Sequence, residues 1–170
     1  MTSDSPVLGS LHSVDGEGVV RIEDRFDTGI DDVWGALTDP ARLVHWFGEV
    51  EGELSRGGAF RVRIALSGER TGLVEVCEPP QRLLVRMRDP DRRPGQPEQT
   101  VIEAKLIAED AQTVLVWEER GMPVDLLPAY GAGVQIHVEH LADHINGREL
   151  RDVEARWNEL FPAYEALSIG

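Results

Sequence analysis

An α+β fold, one antiparallel sheet followed by helices, is predicted by three features of this chain. From Val20 to Phe47 a strand, the turn Asp27-Thr28-Gly29 and two helices succeed one another in fewer than thirty residues. From Phe60 to Arg120 apolar and polar residues alternate between turn signals, the pattern of half-buried strands. From Leu126 the apolar period lengthens to that of an amphipathic helix. A chain of 170 residues is long enough to bury one substantial core.

In chain order, Val20, Ile22, Asp24 and Phe26 alternate with Arg21, Glu23 and Arg25, predicting a first strand with one buried face. Val33, Trp34 and Leu37 share one side of the helix that follows. Asp39-Pro40 restarts the helix, because Asp caps free amides and Pro at the first helical position forfeits no hydrogen bond. That short second helix ends near Trp46-Phe47-Gly48. After Ser55-Arg56-Gly57-Gly58 come Phe60, Val62, Ile64 and Leu66 on one face of a strand. Ser67-Gly68-Glu69 turns into a strand from Thr71 to Glu78, closed by Pro79-Pro80. Leu83, Val85 and Met87 mark the next strand, and Asp89 to Glu98 is a Pro- and Arg-rich loop. Ile102, Ala104, Leu106 and Ala108 lead through Glu109-Asp110-Ala111 into a strand from Thr113 to Arg120, completing a meander. Val134, Val138, Leu141 and Ile145 then form one helical stripe ending at Asn146-Gly147. A last helix spans Asp152 to Leu167 with Val153, Trp157, Leu160 and Phe161.

Composition narrows the function. Thirty-one acidic residues against seventeen basic give a net charge of -14. Both nucleic-acid backbones and anionic membrane surfaces would repel such a chain, so neither is an expected partner. Hydrophobic content of 41% and charged content of 28% are those of a soluble globular protein. The lone Cys77 has no partner for an internal disulfide, which suits a cytoplasmic location. Residues 1–17 are polar, lack the basic and apolar regions of a signal peptide, and read as a flexible tail. No run reaches the ~20 apolar residues of a membrane span.

The order and spacing of several residues resemble the helix-grip (START/birch-allergen-like, SRPBCC) superfamily. The nearest likeness is to its AHSA-type branch, named after the activator of the heat-shock chaperone ATPase. The likeness rests on Val33-Trp34, Leu37-Thr38-Asp39-Pro40, Leu43 and Trp46, then Gly57-Gly58-Ala59-Phe60, Gly72, Pro79-Pro80 and Arg82-Leu83. Thr113, Leu115, Gly121 and Met122 resemble the last strand, and His140-Leu141, His144-Ile145 and Gly147 the long helix. It covers Val20 to Gly147 and implies two short helices after strand one, six strands, and a curved antiparallel sheet wrapped around a long C-terminal helix. The expected organisation is a tail (1–17), a helix-grip ligand-binding domain (18–147) and an additional C-terminal helix packed on it (148–170). Two departures stand out. Gly131-Ala132-Gly133-Val134 replaces the usual Trp near the start of the long helix, which either widens a pocket or lets helix and sheet approach. The helix after Gly147 is not needed by the core fold.

The resemblance implies an apolar cavity between helix and sheet, with Phe60, Val62, Met87, Leu115 and Trp117 facing inward and Trp46 near the mouth. The alternative is that these side chains simply fill the core. Glu119 shares the face of Leu115 and Trp117, and a buried carboxylate needs a partner or a raised pKa, which makes it a candidate polar contact. Asp24 is a weaker one. His137, His140 and His144 lie at i, i+3 and i+7 on one helix, beside its apolar face. Such a stripe suits either boundary histidines or polar contacts at a cavity edge, with His137 and His140 the ligand candidates. Two histidines four apart could hold zinc, but a third ligand is not evident and no metal is assigned. Cys77 reads as a buried inert thiol, and Arg86, Arg88, Arg92 and Arg93 as a solvated surface.

These readings converge on binding of a small hydrophobic or amphipathic molecule, with no cofactor and no identified catalytic residue. A co-chaperone-like or stress-related interaction module, with a homodimer or protein partner on the C-terminal helix, is one alternative. A polyketide cyclase/aromatase-like enzyme using Glu119 with His137 or His140 is another.

Overall fold

The computed structural model describes residues 8–64 and 67–170. Its elements run β1 (Ser10–Val14), β2 (Glu17–Phe26), α1 (Ile30–Thr38), α2 (Pro40–Trp46), β3 (Gly48–Gly52), β4 (Ala59–Ile64), β5 (Gly68–Glu78) and β6 (Arg82–Arg88). They continue with β7 (Thr100–Glu109), β8 (Gln112–Met122), α3 (Leu127–Ile145) and α4 (Val153–Glu165). The eight strands form one curved antiparallel sheet in the order β1-β2-β8-β7-β6-β5-β4-β3. The predicted α+β helix-grip architecture is therefore the one observed, with α3 laid across the sheet.

Local chemistry explains the N-terminal block. The Asp39 side chain accepts from the Ala41 amide at 2.9 Å and so caps α2 ahead of Pro40. Arg42 donates to both the backbone carbonyl and the carboxylate of Asp32, tying α2 back to α1. Trp46 donates its indole N–H to the Ala36 carbonyl at 2.9 Å, so a fully buried ring keeps its one polar atom satisfied.

Three elements differ from the sequence reading. Ser10–Val14, expected within a flexible tail, is the edge strand β1. It carries one buried residue, Leu11, and so shows no apolar alternation; Asp15 and Gly16, both with positive φ, make the two-residue hairpin turn into β2. Gly48–Gly52, assigned to no element beyond a helix ending near Gly48, is β3, the opposite edge of the sheet, a polar strand with only Val50 half-buried among its side chains. β5 begins at Gly68 rather than Thr71. Leu66, expected on the strand after Phe60, lies outside the described residues.

The apolar core divides in two. Leu11, Val20, Leu115, Trp117, Val138 and Leu141 belong to a large cluster between the β1-β2-β8-β7 half of the sheet and the helices. Phe60, Val62, Ile64, Val74, Val85 and Met87 form a smaller one on β4, β5 and β6. Phe47, Val50, Leu54 and Ile102 touch both.

The additional helix α4 is part of this body. Leu160 and Tyr164 are fully buried. The Tyr164 hydroxyl accepts from the Gly9 amide at 2.9 Å and donates to the Gln135 side chain of α3. Arg156 pairs with Glu139 at 2.7 Å, and Arg151 pairs with Asp143 at 2.7 Å, fastening α4 and the segment before it to α3. Beyond the helix, Gly170 exchanges backbone hydrogen bonds with Leu11 and Ser13, each 2.9 Å, along the edge of β1. No helix among the described residues is long and apolar enough to cross a membrane.

Candidate functional site

A pocket of about 540 Å³ lies between the first half of α3 and the sheet. Its sheet wall is Ile64 of β4, Met87 of β6, Ile102 of β7 and Glu119 of β8, with Phe47 beyond α2. Its helix wall is Tyr130, Gly133, Val134 and His137. Gly133 explains part of the space, since a Cβ built there meets nothing within 4 Å. Gly131, two residues earlier, has the opposite role: its Cβ would stand 2.7 Å from the Tyr164 ring. The space expected of the Gly131-Ala132-Gly133 segment is thus present at Gly133, while the close packing at Gly131 is chiefly against α4 rather than the sheet.

Polar groups punctuate a mostly apolar wall, Ser67, Gln96 and Thr100 among them. Glu119 is half-buried, and burial pushes its carboxyl up to about 7. The Trp117 indole N–H, two residues back on the same face, offsets part of that rise without reaching good hydrogen-bond geometry. His137 is displaced the other way: burial, then the neighbouring His140, lower it to about 4, so its ring is neutral at physiological pH. Its Nε2 is buried with no hydrogen-bond partner, and Phe47 meets the ring edge-on at 5.2 Å. At the other end of the wall Arg70 pairs with Asp89 at 3.5 Å. Tyr130 lies near enough to Arg70, Asp89 and Glu119 to feel their charges, and burial raises its phenol.

The structure brings some predicted residues together and separates others. Met87, Glu119 and His137 line the main pocket. Trp46, Phe60 and Trp117 border, with Met87, an adjoining narrow cleft of about 50 Å³. Val62 and Leu115 are fully buried and line neither. His140 is buried on the α4 side, its Nε2 at 3.1 Å from the Arg151 carbonyl. His144 stacks on His45 at 5.8 Å and receives a hydrogen bond from Arg42 at 3.1 Å. The histidine stripe therefore faces three different environments. Among the described residues no group of three or more His, Cys, Asp or Glu is placed to hold a metal ion.

Asp24 is raised by burial and faces Glu139 and Arg151 rather than the pocket. Cys77 points its thiol at the Leu54 carbonyl, 3.8 Å away. The arginines of β6 and the following loop are dispersed, with Arg86 paired to Glu75 and Arg92 bonded to the Gln96 carbonyl.

Sequence reasoning missed Arg70, Asp89, Tyr130, Val153 and Trp157, all on the pocket wall. Arg70 and Asp89 read as turn and loop residues, and nothing local announces that a loop folds over a cavity. Trp157 was visible as an apolar position on a helix expected to pack on the domain, but nothing in its spacing pointed to the pocket. In fact α4 contributes a wall of the pocket through Val153 and Trp157.

Residues 27–146 match the family described as "Activator of Hsp90 ATPase homolog 1-like protein". The chain belongs to that family. Among solved structures it is similar to CalU16 from Micromonospora echinospora, 27% identical over 94% of each chain, with a TM-score of 0.74. It is also similar to DynU16, a protein in the dynemicin biosynthetic locus, at 26% identity and a TM-score of 0.70. That likeness covers 79% of this chain and 50% of DynU16. A protein encoded by gene BPP1335 of Bordetella parapertussis, 20% identical with a TM-score of 0.69 over 100% of this chain and 97% of that one, shares the fold. No curated protein matches the chain.

Proposed function

We propose that this AHSA-type protein binds a small, largely apolar molecule in the pocket between α3 and the sheet, within the cytoplasm. The observation that carries the reading is the pocket itself: about 540 Å³, walled by Phe47, Ile102, Val134 and Trp157, with a few polar groups at fixed places. Ligand sites are of this size and composition, apolar with a few polar groups to orient the ligand. The similarity to DynU16, from a biosynthetic locus, supports a small organic molecule as the occupant.

The test is a thermal-shift screen against lipids, aromatic polyketides and flavonoids. A compound that binds only the folded protein, at 100 times its Kd, stabilises it by about 2.7 kcal/mol. A chemically coherent set of stabilising compounds is expected, with their affinity lowered at least about tenfold by Trp157→Ala. Leu160 and Tyr164 keep α4 docked in that variant. Hits that persist unchanged in Trp157→Ala place binding elsewhere, and silence across the library refutes the reading.

A second reading, cyclase-like catalysis, is favoured by the opposite displacement of two titratable groups on one wall. Glu119 near 7 and His137 near 4 supply a proton donor and a neutral base at neutral pH, the division of roles that acid–base catalysis needs. Turnover of a linear poly-β-ketone thioester, abolished by Glu119→Gln, would support it; binding of the thioester without turnover would leave the ligand-binding reading alone.

A further inference from the structure

The charged groups around Glu119 are unevenly matched. On the sheet side its own strand contributes Trp117, and its cross-strand neighbours Val20 of β2 and Ile102 of β7 are uncharged. Across the pocket lie Tyr130 and the neutral His137 of α3. The guanidinium found on the wall among the described residues, that of Arg70, is already paired with Asp89 at 3.5 Å. Among the described residues no cationic side chain pairs with the half-buried Glu119, whereas the buried carboxylates Glu103 and Asp143 are each held by two arginines. The pocket therefore contains a carboxyl whose counter-charge no described residue supplies.

Resting on the ligand-binding reading above, we infer that the pocket selects an apolar molecule carrying a protonated amine, whose ammonium pairs with Glu119 while its body lies among Phe47, Ile102, Val134 and Trp157. A buried carboxylate is favoured by a cation at hydrogen-bond distance and disfavours an anion there. The aromatic walls, Phe47, Tyr130 and Trp157, also favour a cation over a neutral head group. The chain's net charge of -14 attracts cations and repels carboxylic acids on approach.

Selectivity then depends on pH with a definite sign. With a carboxyl that titrates near 7 in the free protein, an ammonium binds best when Glu119 is ionised. Binding below that pH must expel a proton, so affinity is about tenfold lower at pH 6 than at pH 8. The measurement is calorimetric titration with three probes sharing one body: 4-phenylbutylamine, 4-phenylbutanol and 4-phenylbutanoate. The amine is expected to bind at least about tenfold tighter than the alcohol at pH 8, to lose most of that margin at pH 6, and to release protons at pH 7. The butanoate is expected to bind weakest. Glu119→Gln, with folding checked by circular dichroism, is expected to erase the preference of amine over alcohol. The proton count and pH dependence of the unaltered protein test the same point without the variant.

Alcohol or butanoate binding as tightly as the amine at pH 8 overturns the inference and leaves the pocket reading standing. A preference that survives Glu119→Gln, or that does not weaken at pH 6, overturns it as well. Silence from all three probes also overturns it, and silence from the apolar library too removes the pocket reading with it.

Discussion

Glu119 and His137 stand on the sheet and helix walls of one pocket with opposite pKa displacements, and folding stability registers both. Glu119 is raised from 4.5 to about 7, so the folded state holds a proton that the unfolded chain releases, and stability falls as pH rises across that window. His137 is lowered from 6.5 to about 4, so the unfolded chain binds the extra proton, and stability falls as pH drops across that window. Between 4.5 and 6.5 the two slopes oppose and nearly cancel. Denaturant titrations of the unaltered protein supply the reference profile, to which His144, lowered, and Asp24, raised, also contribute. Glu119→Gln should tilt it upward with pH and His137→Gln downward, each by on the order of 3 kcal/mol at full extent. A second pair of residues separates space from contact. Gly133→Ala should stabilise the protein by up to about 1 kcal/mol through helix propensity, because nothing obstructs the new methyl group. Gly131→Ala should cost about 1–3 kcal/mol, because its methyl group meets the fixed ring of Tyr164. Glu119 was legible beforehand from strand alternation alone. Tyr130 and Arg70 were not, since their place on the wall depends on how distant segments cross.

Among the elements, α4 adds a pocket wall that its sequence did not announce. Its stripe of apolar residues was readable, and so was its packing on the domain, but the stripe does not say which neighbour it meets. An apolar face offered to a partner chain is instead spent within the molecule, with Leu160 and Tyr164 fully buried. The Tyr164 hydroxyl is the sharpest probe of that docking. Tyr164→Phe leaves the Gly9 amide without its acceptor and should cost about 1–3 kcal/mol by chemical denaturation. The edge strands β1 and β3 were illegible for a simpler reason. Edge strands need few buried side chains, so Ser10–Val14 and Gly48–Gly52 show none of the alternation that betrayed the central strands. The Asp15-Gly16 dipeptide was nonetheless a hairpin signal for β1.

For the molecule as a whole, the order of elements and the curved sheet around a long helix were readable because many weak cues agreed in spacing. The pocket was readable only as an expectation of the fold, since its volume depends on the Gly133 gap and on Trp157 arriving from beyond the core domain. That last feature ties occupancy to motion. Trp157 forms part of the wall, so any opening that lifts α4 from α3 also dismantles the site, and a bound molecule must leave first. Amide hydrogens along Val153–Glu165 that exchange through that opening should then slow in proportion to ligand saturation, on the order of 100-fold at 100 times the Kd. Amides of β3, at the far edge of the sheet, would keep their free-state rates if they exchange by local fraying. Exchange rates on a helix that the core fold does not require thus become a gauge of how full the interior is.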